Sequence, residues 1–172
     1  MKNPRLLTLI GMVALAALSR LIPHPYNFTP IAGLALFGGA KFADKRMAFL
    51  VPLLALLLSE AVLGFYKGMS VVYLSFALIV CIGFYLKSRC SGRNVVLAAL
   101  SGSVLFYVVT NFFEWAGGGL YPMTAAGLVQ CYVAAIPFFG NTVAGDLVYS
   151  GVLFGGLAWA ENMYPGLRPA AV

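Results

Sequence analysis

The sequence has few charged residues: only 9% of its 172 residues are Asp, Glu, Lys or Arg. Soluble domains carry roughly 25% charged residues, so this chain could not cover its own surface with polar groups in water. Apolar residues make up 62% of the chain, and the mean hydropathy is +0.93. These values exclude an ordinary soluble domain and indicate that the lipid bilayer surrounds the protein.

Motifs for nucleotide binding, metal binding and catalysis are also absent. The sequence has no Walker-type G-x-x-x-x-G-K-[ST], no G-x-G-x-x-G and no H-E-x-x-H. Its three cysteines form no C-x-x-C pair, so neither a disulfide framework nor a zinc site is indicated. No nucleophile, base and orienting group recur in a catalytic pattern. We therefore predict a protein that is not an enzyme and that has no cofactor or resident metal.

Long apolar runs predict the fold. A helix needs about 20 residues to cross a bilayer core, and a marginal run at 30–43, rich in small residues, suits a short helix packed between neighbours. The first run also resembles a signal peptide, but it extends to Ile22 and leads directly into a polar turn. We predict an all-α membrane protein that is a single domain over 1–172 with six transmembrane helices. The five longer runs lie at about 6–22, 47–65, 70–86, 95–113 and 142–160.

The segment at 121–139 is less regular than the other apolar runs. Pro122 and Pro137 interrupt it, Gln130 adds a polar group, and a glycine run precedes it at 117–119. Since such residues break helices, we predict that 114–140 forms a long outer excursion with a re-entrant or amphipathic segment. A seventh span is the alternative.

Basic residues give the expected orientation. A charge of +6 on a soluble protein would suggest a nucleic-acid partner, but here the bases lie between apolar runs, so we predict no nucleic-acid binding. Short cytoplasmic loops collect Lys and Arg. Six spans with a cytoplasmic N-terminus leave only Arg20 and Lys67 outside. The predicted cytoplasmic bases are Lys2, Arg5, Lys41, Lys45, Arg46, Lys87, Arg89, Arg93 and Arg168.

Polar side chains near the spans fall at one predicted depth, toward the outer face. Such residues are costly in a membrane and usually face a protein interior or a cavity. On the fifth span, Tyr107, Asn111 and Glu114 share one helical face because they are spaced i, i+4 and i+7. We predict an outward-facing substrate pocket. Its candidate residues are Arg20, His24, Asn27, Glu60, Tyr107, Asn111, Glu114, Trp115, Asn141, Asp146 and Tyr149.

The charged and amide side chains have expected roles in this pocket. Arg20 is expected to pair with Asp146, with Glu60 or with a carboxylate of the ligand, because buried charges are normally paired. Asn111 and Asn141 would supply directional hydrogen bonds to the solute.

Three further features have both a functional and a plain structural interpretation. The glycine-containing 114–122 loop would act as a lid, although a flexible loop is the commoner case. Cys131 is a candidate cobalt ligand, but a buried inert thiol is the commoner role. His24 and Trp115 fit a turn and an interfacial aromatic belt as well as they fit a ligand site.

Three stretches of the sequence carry a resemblance: PHPYNFTPIAGLALFGGA, FLVPLLALLLSE and YPMTAAGLVQCYVAAIPFFGNTVAGDLVYSGVLFG. They resemble a family of small bacterial integral membrane proteins of unknown function, sometimes described as transport proteins. The predicted architecture is similar to that of the S-components of energy-coupling factor (ECF) vitamin transporters. That similarity implies vitamin capture from outside, and docking through the first helices onto a coupling subunit with two ATPases.

One feature departs from the S-component pattern. Those proteins commonly carry an A-x-x-x-A docking motif on the first helix, whereas this chain has Gly11, Ala14 and Ala17 at a spacing of three. A solitary transporter that works without the ATPases, as cobalamin-binding members are thought to do, is therefore an open variant. Cys131 would be its candidate contact with cobalt.

The predicted function is that of a transport protein in the bacterial inner (plasma) membrane. It would capture a vitamin-like or small polar solute, with cobalamin as one candidate, from the outer face. One alternative is a non-transporting interaction or assembly protein of the membrane, suggested by the small residues of 30–43 and the last span. Another is an intramembrane enzyme acting on lipid, with Glu114 and Asp146 as acid and base.

Overall fold

The computed structural model describes residues 3–169, and six α-helices make up most of this part of the chain. Two 3₁₀ turns, Ser19–Leu21 and Pro165–Leu167, complete the regular structure, and there is no strand among the described residues. The predicted all-α class is confirmed. Lys2, one of the predicted cytoplasmic bases, lies outside the described residues. The helices are α1 (Pro4–Leu18), α2 (Ile31–Lys41), α3 (Lys45–Leu63), α4 (Met69–Leu86), α5 (Gly92–Gly117) and α6 (Ala125–Met163).

Five helices within the described residues are long and apolar enough to cross a membrane. They are α1 with the following 3₁₀ turn, α3, α4, α5 and α6. The first four lie close to predicted apolar runs, because each run is a local property that does not depend on packing. The fifth, α6, contains the run at 142–160 but begins well before it, at Ala125. These helices fit a membrane-embedded protein.

The sixth helix, α2, is short and lies at the centre of the bundle. Its 11 residues rise about 16 Å, against about 30 Å for a bilayer core. All of its residues except Lys41 are buried, and it packs against each of the other five helices. A helix that is apolar on all sides is stable only when other elements surround it, so α2 forms the axis of the bundle.

Glycines allow α2 to approach its neighbours closely. A Cβ atom at Gly39 would lie 2.2 Å from the Val80 carbonyl oxygen and 2.9 Å from the Gly83 Cα of α4. On the side of α3, a Cβ at Gly38 would lie 2.5 Å from Cγ of Pro52. Small residues at such crossings bring helix backbones together and increase van der Waals contact. The small residues of 30–43 therefore pack against other helices of the same chain.

Helix α6 corrects the sequence-based prediction for 114–140. No re-entrant excursion forms in this segment, because α5 continues to Gly117 and α6 runs without a break from Ala125, including Pro137. A proline inside a helix removes one backbone hydrogen bond, and membrane helices tolerate this when neighbours compensate. Nor is 121–139 a separate seventh helix, since most of it is the first part of α6.

The bundle has two distinct ends. The terminal end carries the start of α1, the end of α6 and the loops at 42–44 and 87–91, and the loop end carries 19–30, 64–68 and 118–124. At the terminal end, Arg5 Nη1 donates to Glu161 Oε1 at 2.6 Å, which joins the two ends of the chain. This arrangement follows from six helices that alternate in direction.

A leucine at Gly39 tests the close contact between α2 and α4. We expect Gly39→Leu to lower the free energy of unfolding by about 1–3 kcal/mol, the usual cost of overpacking, because the new side chain meets backbone. Gly155→Leu is the matched control, since a Cβ there meets nothing within 4 Å. Thermal unfolding in detergent measures both, and equal midpoints for the two variants would contradict the contact.

Candidate functional site

A cavity of about 300 Å³ lies at the loop end, beside the N-terminus of α2. The 22–30 loop, the 64–68 loop and helices α2, α4, α5 and α6 contribute to its wall together with Arg20. Three predicted site residues line it: Arg20, Asn27 and Asp146. The full lining is Arg20, Asn27, Thr29, Ile31, Ala32, Tyr66, Val72, Phe76, Phe106, Thr142 and Asp146. We call this space the loop-end cavity.

Asp146 is the isolated charge of this cavity. It is 2% exposed, and its Oδ2 accepts a hydrogen bond of 2.6 Å from Ser103 Oγ on α5. No Lys, Arg or His nitrogen of the described residues lies within 4 Å of its oxygens. Thr142, one turn earlier on α6, lines the same wall because residues at i and i+4 share a helical face. The carboxylate therefore has a hydroxyl donor but no cationic partner.

Arg20 pairs with Glu60 and not with Asp146. Its Nη2 lies 3.8 Å from Glu60 Oε1, and its Nη1 donates to Ser59 Oγ. Tyr66 Oη donates to the same carboxylate oxygen at 3.1 Å. Burial, together with the nearby Glu60, raises the pKa of the Tyr66 phenol, so it remains a hydrogen-bond donor at physiological pH. Arg20 and Glu60 thus neutralise each other beside the cavity.

Three polar atoms near this ion pair have no hydrogen-bond partner among the described residues. They are Arg20 Nε, Glu60 Oε2 and Tyr73 Oη, each fully buried. A buried polar atom that lacks a partner costs about 1–3 kcal/mol, and native proteins usually satisfy such atoms with water or with a bound polar molecule. Arg20 also lines the loop-end cavity, so its guanidinium connects the ion pair to the cavity wall.

The 22–30 loop is held over the cavity by contacts with α6. A Cβ at Gly145 would lie 3.0 Å from the Thr29 backbone nitrogen, so the missing side chain lets the loop approach the helix. Asn141 Nδ2 donates to the Tyr26 carbonyl oxygen at 3.0 Å. The Tyr149 ring packs on Phe28 with centroids 5.9 Å apart. Asn141 and Tyr149, both predicted site residues, therefore position the loop instead of lining the cavity.

Asn111 and Glu114 line a second, more open space of about 530 Å³ between α4 and α5. We call it the α4–α5 groove. Tyr66 and Val72 line both spaces, so the groove and the loop-end cavity are neighbours separated by these side chains. Asn111 Nδ2 donates to the Tyr107 carbonyl oxygen at 2.8 Å. The polar face predicted for α5 therefore does not line a single site. Its residues near the C-terminal end of α5, Asn111 and Glu114, line the α4–α5 groove instead of the loop-end cavity.

The remaining predicted residues make local structural contacts. Tyr107 Oη donates to the Tyr132 carbonyl oxygen at 2.5 Å, and Trp115 Nε1 donates to the Pro122 carbonyl oxygen at 2.9 Å. His24 is exposed, and its Nδ1 lies 2.7 Å from the Ile22 carbonyl oxygen. None of these three side chains lines the loop-end cavity.

Cys131 is buried away from the loop-end cavity. Its Sγ donates to the Asn111 carbonyl oxygen at 3.4 Å. Within the described part of the chain, no group of three or more His, Cys, Asp or Glu side chains could hold a metal ion.

Tyr66 is the main cavity residue that the sequence-based prediction missed. It lies in a turn between Gly64 and Gly68, whose positive φ angles of 102° and 89° are readily adopted only by glycine. Those two glycines signal a tight turn, but they do not show which way Tyr66 points. Thr142 was identifiable in principle, since it shares the face of Asp146.

The family model described as "Family of unknown function (DUF6580)" matches residues 1–167. The chain belongs to DUF6580. The resemblance to a family of unknown function is confirmed, and the matched range includes every residue that lines the loop-end cavity. No curated protein and no solved structure matches the chain.

The Arg20–Glu60 pair gives a stability prediction for this DUF6580 protein. Removing one member leaves the other buried and unpaired, so we expect Arg20→Met and Glu60→Met each to cost about 3–5 kcal/mol. The double variant leaves no buried charge there and should cost less than either single one. Thermal unfolding of the four proteins in detergent measures the coupling, and additive losses would contradict the pairing.

The close packing of the 22–30 loop against α6 gives another prediction. In Gly145→Leu the new side chain meets the backbone at Thr29, and we expect faster amide hydrogen exchange across 22–30. Gly140→Leu is the control because a Cβ at Gly140 meets nothing within 4 Å. Unchanged exchange in Gly145→Leu would show that the loop is held by other contacts.

Proposed function

We propose that this DUF6580 protein is a membrane transport protein that captures a compact solute in the loop-end cavity. The observation that carries the proposal is the cavity itself, which brings Arg20 and Asp146 together with apolar and aromatic walls inside a bundle of membrane-type helices. Ionisable residues within membrane proteins commonly mark substrate pathways. A cavity with a few convergent polar groups on an apolar wall has the composition expected of a small-molecule site.

The volume of the cavity limits the size of the solute that it can hold. About 300 Å³ lies at the lower limit of small-molecule pockets, which suits a compact vitamin-like or otherwise small polar molecule. A corrinoid such as cobalamin is much larger than this space, and Cys131 does not reach it. The proposal therefore retains a vitamin-like solute and leaves cobalamin out.

An S-component-like mode of action is part of the proposal. It is supported by the six helices, by the loop-end cavity at the end opposite both chain ends, and by a sequence without a nucleotide-binding motif. Coupling to an ECF-type subunit with ATPases would then supply the energy for transport. The alternative is a solitary transporter that works without these ATPases. Gly11 and Ala14 are exposed on α1, where close helix docking would be possible.

Orientation in the inner membrane follows from charge. The terminal end carries Lys41, Lys45, Arg46, Lys87, Arg89 and Arg93 at or next to its loops. Because cytoplasmic loops collect basic residues, we place the terminal end in the cytoplasm and the loop-end cavity toward the outside. The solute would then enter from the outer face.

The rival functions have less support in the structure. Interaction through the small residues of 30–43 is disfavoured because α2 is buried within this chain, which leaves the exposed Gly151 and Gly155 of α6. For a lipid enzyme, Glu114 and Asp146 would have to act on one substrate, but they line two different spaces.

Native mass spectrometry of the gently solubilised full chain, purified from its host, tests the proposal. We expect a small bound compound that is released on activation and can be identified. Ala32→Leu should lose it, because Ala32 is buried and lines the cavity, so the larger side chain occupies the solute's space. Ala144→Leu, the same change at an exposed position of α6, should retain it.

The other outcomes discriminate between functions. Retention of the compound by Ala32→Leu would place its site elsewhere and contradict the proposal. An empty protein that arrives with a stoichiometric partner other than an ATPase module would favour the assembly function. Co-purification with an ATPase module, lost in Gly11→Leu but kept in Gly155→Leu, would support the S-component-like mode.

A further inference from the structure

We infer that the loop-end cavity selects a small organic cation. The inference rests on the proposed solute-binding function and names its substrate class. Its basis is the balance of charge around the cavity. Arg20 and Glu60 form a pair, with 3.8 Å between Nη2 and Oε1, and contribute no net charge. Asp146 is the carboxyl of the lining, and no basic nitrogen of the described residues lies within 4 Å to compensate its ionised form.

The N-terminus of α2 offsets only part of this charge. Ile31 and Ala32, at its first turn, line the cavity, and no side chain caps this helix end. A helix N-terminus is equivalent to roughly +0.5 elementary charge, and only part of that acts at the carboxylate. A ligand cation beside Asp146 stabilises the ionised carboxylate, whose full charge outweighs this partial charge, so the cavity favours a positive ligand.

The aromatic side chains that line the cavity also favour a cationic ligand. Phe76 and Phe106 both line the cavity and are stacked, with ring centroids 5.3 Å apart and an interplanar angle of 15°. Tyr66 adds a third aromatic side chain. Ring faces attract ammonium and other organic cations, more strongly where water is excluded. A carboxylate beside aromatic walls is thus suited to an organic cation.

The remaining polar groups define the rest of the ligand. Thr29, Thr142 and Asn27 line the cavity together with Arg20, whose guanidinium is a hydrogen-bond donor. The chemistry therefore fits a compact molecule with one positive nitrogen near Asp146, an apolar or aromatic body against the phenylalanine rings, and a hydrogen-bond acceptor toward Arg20.

Binding of probes matched in size but different in charge tests the inference on the full-length protein. N-methylpyridinium and toluene have nearly the same shape and differ in charge, and benzoate is an anion of similar size. We measure the thermal unfolding midpoint in detergent and the Kd by calorimetry for each probe. N-methylpyridinium should bind and raise the midpoint, while toluene and benzoate should have little effect at the same concentration.

Two variants assign the effect to the cavity. Asp146→Asn should weaken N-methylpyridinium binding by about tenfold or more, the order expected when a buried charged partner is neutralised. Phe106→Leu keeps the carboxylate and should weaken cation binding because one ring face is lost, and it serves if Asp146→Asn does not fold. Asp44→Asn is the matched control, since Asp44 caps α3 at the terminal end and Asn is an equally good N-cap.

Each other result has a definite meaning. Binding of benzoate without N-methylpyridinium would overturn the cation selectivity and show that Arg20 and the α2 N-terminus dominate. Failure of all three probes with a neutral or anionic compound retained in native mass spectrometry would overturn the inference but leave the solute-binding function intact. Failure of all three probes with no retained compound would count against both. Cation binding that persists unchanged in Asp146→Asn and Phe106→Leu would place the cation site elsewhere.

Discussion

The length of α2 is the constraint on which the rest of the structure depends. Its 11 residues rise about 16 Å, while every helix around it is longer. Because α2 is buried on all sides, it must lie on the bundle axis, and it fills only part of the depth. The 22–30 loop and the loop-end cavity take up what remains. The cavity is therefore a consequence of a short central helix.

Glycine fixes the position of this helix on three sides. Gly38 accommodates Pro52 of α3, Gly39 meets Gly83 of α4, and a Cβ at Gly33 would lie 3.2 Å from the Ser150 nitrogen of α6. Backbones packed this closely leave little freedom to slide, since interiors respond to added volume with strain. The floor of the cavity is thus set by backbone packing, whereas Tyr66 and the 22–30 loop, which close it, belong to loops.

The ion pairs of the described residues join separate elements, whereas the buried carboxyl of Asp146 has no ionic partner among them. Arg5 with Glu161, and Arg20 with Glu60, are paired at opposite ends of the bundle. Asp146 has only the Ser103 hydroxyl. An uncompensated buried carboxylate is costly, and proteins keep such groups where they interact with something else.

Local sequence determined the helices of this protein, because a run of apolar residues crosses a membrane whatever its neighbours are. The grouping of Arg20, Glu60 and Asp146 toward one end of the bundle followed in the same way, from their distance to the ends of those runs. Only the tertiary structure decided that Arg20 pairs with Glu60, that Pro137 lies within a continuous α6, and that Tyr66 closes the cavity. Those outcomes depend on how each helix is rotated and which neighbour it meets, and the contacts that set this, such as Gly39 against Gly83, join residues far apart in the chain.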